Sequence, residues 1–149
     1  MSDVVVDSSV VAKWVLPEAD SAQAEHLLVE TAAQGGTLVI LDLALVETTN
    51  AIWKRHHQGL IAPEEAHRLL DCLLRIPARV ERASELLPAA LGIAITHGRA
   101  VYDALFVALV DKMGTQGITA DEPLYASTRA RFPQIRLLRD WQASAGPRG

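Results

Sequence analysis

Cysteine is almost absent from this chain: Cys72 stands alone. One thiol makes no internal disulfide, and no Cys/His spacing suits a zinc site. The neighbours in "LLDCLL" suggest a packed helix with a small buried thiol, a usage that fits a reducing compartment. Early basic residues are missing too. Asp3 and Asp7 stand where a secretory signal would carry Lys or Arg. Long apolar runs are missing as well. The longest, "LVILDLALV", is interrupted by Asp42 and falls far short of the ~20 residues that span a bilayer. These absences lead to the expectation of a soluble, cytoplasmic protein without a membrane partner.

Positive charge is not in excess, because the formal net charge is −4. That excludes a simple basic nucleic-acid binder. It leaves open a site where clustered acids hold divalent cations, since such a site attracts phosphate while the total stays negative. No repeat, low-complexity block or Pro/Gly/Ser linker divides the 149 residues. The expectation is one domain over 1–140 and a flexible tail over 141–149. Half the residues are hydrophobic, enough for an ordinary core at this length.

What is present is an alternation of short apolar strands and helices. "VVV" at 4–6 reads as a buried strand, and Asp7 or Ser8 caps a helix that stops near Pro17. Asp20 and Ser21 open a second helix to about Ala33, closed by Gly35-Gly36. "TLVIL" at 37–41 is a second strand. A long helix follows from about Leu43 to Gln58, and Pro63 starts another reaching Arg75. "ARVER" at 78–82 reads as a short strand. Ser84 caps a helix to His97, Asp103 begins the next to Gly114, and "GITA" is a strand. Asp121-Glu122-Pro123 opens a helix to about Arg131, and "IRLLR" at 135–139 is the last strand. The pattern predicts an α/β three-layer sandwich around a short, mostly parallel sheet of four or five strands.

Ligands of such sheets bind outside the carboxyl ends of the strands. Asp7 and Asp121 lie at two such ends. Asp103 lies in a first helical turn, and Glu47 one turn into the helix after strand two. Taken singly, Asp7, Asp103 and Asp121 have a simpler reading as helix N-caps, worth ~1 kcal/mol each. Glu47 is too deep in its helix to cap, and its simpler reading is a solvated surface acid. It shares a polar stripe with Asn50, Ala51 and Lys54. Four carboxylates on one rim would repel one another unless cations fill the space between them. Oxygen-only ligands suit Mg²⁺, with Mn²⁺ as a substitute. Such ions activate water against a phosphodiester.

The blocks "VVVDSSVVAKW", "LALVETTNAIWK", "VYDALFVALV" and "ITADEPLY" together resemble the PIN domain, and specifically the VapC toxins of bacterial toxin–antitoxin pairs. The likeness runs from about Asp3 to Leu138, with the blocks in family order. It implies a PIN-like fold and a Mg²⁺-dependent endoribonuclease leaving a 5′-phosphate and a 3′-hydroxyl. Position by position, it implies that Asp7, Glu47, Asp103 and Asp121 form the catalytic, metal-binding quartet. Ser8 and Thr119 match hydroxyl residues that support such sites. It also implies an RNA substrate, a homodimer and a cognate VapB-type antitoxin. Glu122, next to Asp121, competes with it for the fourth place.

Two other classes of function fit the residues less well. A response-regulator phosphoacceptor wants paired acids after strand one and a Lys after a late strand, and neither is present. An inactive PIN-like module that only binds RNA or a partner has no reason to keep four mutually repelling acids. Lys13 and Arg99 are candidate RNA contacts, each with a plainer reading as a solvated side chain. His56 and His57 suit the negative end of their helix dipole. Trp14, Trp53, Tyr102 and Phe106 read as core or interface. Arg129, Arg131, Arg136 and Arg139 form a candidate RNA- or partner-facing surface.

Overall fold

The structure, a computed structural model, describes residues 3–142. Five strands, β1 (Val4–Val6), β2 (Leu38–Leu41), β3 (Ala78–Glu81), β4 (Gln116–Thr119) and β5 (Ile135–Leu137), form one sheet in the order β3-β2-β1-β4-β5. Every pairing is parallel. Among the described residues, seven α-helices connect and cover them: α1 (Ser8–Val15), α2 (Ser21–Ala33), α3 (Asp42–His57), α4 (Pro63–Leu74), α5 (Leu87–His97), α6 (Val101–Met113) and α7 (Glu122–Thr128).

The valine run explains why β1 is central. All three residues are buried, and successive side chains point to opposite faces. Val4 and Val6 join Leu38, Ile40 and Ile118 in a core with α1 and α2, while Val5 and Val39 join a second core dominated by α6. Residues 104–110 of α6 are all buried, as expected for a helix that is apolar all round.

Gly117 permits that helix to lie close to the sheet. A Cβ there would come within 2.4 Å of Val110 Cγ2 and 3.1 Å of the Phe106 ring. Gly117→Val is therefore expected to destabilise by about 1–3 kcal/mol through overpacking. Thermal unfolding should show Tm falling by roughly 3–10 °C; an unchanged Tm would mean the contact relaxes freely.

Several sequence expectations are corrected. α6 starts at Val101, so Asp103 lies inside the first turn and caps nothing. Asp20 has φ 64° and makes no capping hydrogen bond. A 3-10 turn, Ala83–Leu86, precedes α5, which starts at Leu87 and not at Ser84, with Pro88 in its first turn. α7 stops at Thr128, and "IRLLR" leaves the sheet after Leu137 into a 3-10 turn. Cys72 is exposed, because Leu73 is the buried residue of α4. Trp141, assigned to the tail, is packed into the core at 7 % exposure. The rest of that tail, 143–149, lies outside the described residues. No single helix among the described residues is long and apolar enough to cross a membrane.

Candidate active site

Chain order in the sheet reverses beside β1. Strands β2 and β3 extend to one side, β4 and β5 to the other. The crevice at such a reversal is where parallel α/β sheets bind ligands. Asp7 follows β1 there, with its backbone N–H bonded to the Ile118 carbonyl at 3.3 Å. Asp121 follows β4 after a single residue.

Asp7 is both a cap and a rim carboxylate. Its Oδ1 accepts from the Val10 backbone at 3.3 Å and from the Ser9 hydroxyl at 2.5 Å. Its Oδ2 accepts from the Thr119 hydroxyl. Burial pushes its pKa up from the usual 3.8 to about 6, against the lowering effect of the Ser9 and Thr119 hydroxyls and the Val10 N–H, and nearby Asp121 adds a smaller upward push. Asp121 likewise caps α7, accepting from the Leu124 backbone at 3.0 Å. The capping interpretation of these two acids is therefore correct, and it does not compete with their place on the rim.

The hydroxyls form a small relay. Thr119, fully buried, also accepts from the Asp121 backbone at 3.0 Å. Ser9 accepts from the Ala120 backbone at 2.9 Å. Ser9 was passed over in the sequence because Ser8, directly after the acid, stands in the position the resemblance marks. The detectable signal was its place in the first turn after a capping Asp. Ser8 instead acts on the next acid: its hydroxyl favours the ionised form of Glu47. Glu47 sits on the exposed face of α3. The protein wall around its carboxyl raises its pKa, the Ser8 hydroxyl opposes that rise, and neighbouring Asp103 adds to it.

Asp103 is held by Arg99, whose Nη2 donates to Asp103 Oδ2 at 2.8 Å and lies 4.0 Å from Asp121 Oδ2. Arg99 thus spans Asp103 and Asp121, and charge repulsion couples Glu47 to Asp103 and Asp7 to Asp121. Glu122 turns away and pairs with Arg139 on the surface. Lys13 is taken up by the Ala19 carbonyl at 2.7 Å and by Glu18, which removes it from the rim.

A groove of about 680 Å³ runs past Glu47 along α3, lined by Ser8, Ser9, Glu47, Asn50, Lys54 and Tyr102. The polar stripe read from the sequence is one wall of it. Phe106 is in the core, while Trp53 and Tyr102 are 52 % and 66 % exposed. His57 stacks on Trp53 at 4.8 Å between ring centres. Arg129 and Arg131 lie over Tyr125 and Phe132.

The donor set fits a hard divalent cation in type, being carboxylates alone. Among the described residues no three His, Cys, Asp or Glu side chains are already arranged as a metal cage. Instead, Asp7 faces hydroxyls and Asp103 faces Arg99.

A parallel sheet in this order, with Asp7 and Asp121 following the two strands at its reversal point, defines an α/β domain with an acidic ligand crevice. More specifically, the chain belongs to the PIN domain family, whose model matches residues 4–128. Ribonuclease VapC3 of Pyrobaculum aerophilum is 37% identical over 134 residues, covering 89% of this chain and 96% of that one. The crystal structure of PAE2754 from the same organism superposes with a TM-score of 0.68 at 23% identity, covering 93% of each chain. A toxin–antitoxin complex from Klebsiella pneumoniae superposes with a TM-score of 0.65 at 13% identity, covering 91% of this chain and 97% of that one. PIN-domain ribonucleases generally depend on a divalent metal.

Proposed function

We propose that this chain is a Mg²⁺-dependent endoribonuclease acting in the cytoplasm as the toxin of a toxin–antitoxin pair. The observation that carries the reading is 37% identity to a ribonuclease over most of the chain, and it is supported by Asp7 and Asp121 following adjacent strands and by Arg99 linking Asp121 to Asp103. The carboxylates of Asp7, Glu47, Asp103 and Asp121 would hold the ion, with Mn²⁺ as a substitute. When bound, the ion supplies an acidified water and a positive charge facing the phosphodiester.

The chain's own groups prepare that site. Ser9 and Thr119 fix both oxygens of Asp7, and the Ser8 hydroxyl favours the ionised form of Glu47. Asn50 and Lys54 line the groove that runs past Glu47, where an ammonium and an amide suit a phosphodiester backbone. Without a cation the acids repel RNA, so ion binding also gates substrate entry.

A cognate VapB-type antitoxin is the natural partner, by likeness to the Klebsiella toxin–antitoxin complex. Leu87, Leu91 and Ile95 repeat at helical spacing on α5 and are exposed, which supports a homodimer. The test is cleavage of a mixed RNA pool by the purified chain. Cleavage should stop in EDTA and return with Mg²⁺ or Mn²⁺. Cleavage that persists in EDTA, or no cleavage of any RNA, would overturn the reading.

A further inference from the structure

We infer that Arg99 is a built-in cation that fills the position between Asp103 and Asp121, so that the site takes a single divalent ion. The inference rests on the metal-dependent reading above. Arg99 lies in the turn between α5 and α6, after Gly98, which closes α5 with φ 64°. Its backbone N–H is tied to the Ala94 carbonyl at 3.3 Å, so the side chain projects from a fixed root.

An i,i+4 partnership with Asp103 alone would be an ordinary helix-surface pair. Arg99 goes further. The nitrogen that donates to Asp103 also lies 4.0 Å from Asp121, on a different element. The side chain is 24% exposed, and its Nε is buried without a partner. Leaving a buried donor unpaired is costly. The guanidinium is held there despite that cost by charge, which fits a cation lodged between two carboxylates.

Guanidinium stays protonated at every accessible pH. A divalent ion entering between Asp103 and Asp121 would have to displace a permanent positive charge and break a charge-assisted hydrogen bond. Among the described residues no side-chain cation is paired with Asp7 or Glu47: Asp7 meets the Ser9 and Thr119 hydroxyls, Lys13 is engaged elsewhere, and Lys54 lies along the groove. One divalent ion together with Arg99 offsets three of the four carboxylate charges. A second ion would make the site net positive.

The test counts Mn²⁺ ions per chain by electron paramagnetic resonance and calorimetry, on the full-length protein without RNA. Wild type should bind about one ion, and Arg99→Gln about two, with the broadened signal of a coupled pair at close spacing. Arg99→Lys, which keeps the charge, should stay at about one. Arg99→Met is made in parallel, so that a folding defect in one neutral variant leaves the other. Two ions in wild type, or one ion in the folded neutral variants, would overturn the role of Arg99. Absence of Mn²⁺ binding in wild type, with Asp7→Asn no different, would instead remove the metal-dependent reading itself, and this inference with it.

Discussion

Asp7→Asn is expected to abolish RNA cleavage and, at the same time, to make the metal-free protein more stable. The two effects share one cause. Asp7 is a carboxylate set among a wall of valines and two hydroxyls at the carboxyl end of β1, and burial raises its pKa to about 6. At pH 7.5 it is ionised without enough solvation to offset the charge. The difference between 3.8 and about 6 corresponds to roughly 3 kcal/mol, an upper bound for a group not fully sealed from water. Asparagine keeps an oxygen for Ser9, Thr119 or Val10 and drops the charge. Thermal unfolding in EDTA should therefore show Tm rising by roughly 3–10 °C. Initial rates of RNA cleavage should fall by at least about 10²-fold, the scale seen when one preorganised electrostatic group is removed. A variant that keeps activity within tenfold of wild type would remove Asp7 from the chemistry. One that loses both activity and stability would make it a structural cap alone.

The second large effect is in pH. Between about 4 and about 6 the folded chain keeps a proton on Asp7 that the unfolded chain has released. Folding is then favoured by protons, so this contribution is full below the ordinary carboxylate pKa and is lost as pH rises through about 6. Glu47, also raised, acts in the same direction. The stability of metal-free wild type, minus that of Asp7→Asn at each pH, should fall by up to about 3 kcal/mol across this window. Urea unfolding in EDTA from pH 4.5 to 8 measures it. Saturating Mg²⁺ should flatten the profile, because the ion takes the proton's place. By the same linkage, Mn²⁺ affinity should weaken about tenfold per pH unit below about 6. A difference profile that rises with pH would mean that Asp7 is stabilised as the anion and needs no cation.

Much of this was legible in the residues. Val4–Val6, Leu38–Leu41 and Ile118 are apolar on both sides of the chain, which only a strand covered on both faces explains. Parallel strands then place Asp7 and Asp121 at one edge whatever the helix details. Glu47 stood out because it was too deep in its helix to cap. What failed to show depends on reach. Arg99 has a long side chain whose second neighbour lies beyond a whole helix and strand, and nothing local announces that. Ser9 gains its role only when β4 brings Thr119 alongside. Cys72 and Trp141 were misjudged for a related reason. Apolar flanks did not say which side of α4 faces the core, and a tryptophan near a polar terminus looked solvent-bound until it met His26 and the core near α2. Helix starts at 87 and 101 were displaced by a 3-10 turn and by an extended Ala100, both set by packing.

The account depends on Asp7 changing from a hydroxyl-held carboxylate to a cation ligand while Arg99 keeps its place between Asp103 and Asp121. The most direct measurement is a crystal structure of the Mn²⁺-soaked protein with anomalous diffraction. The account predicts one strong peak at coordination distance from carboxylate oxygens of Asp7 and Glu47 and within reach of Asp103. A peak held by other residues, or none while Asp7 stays on Ser9 and Thr119 alone, would contradict it.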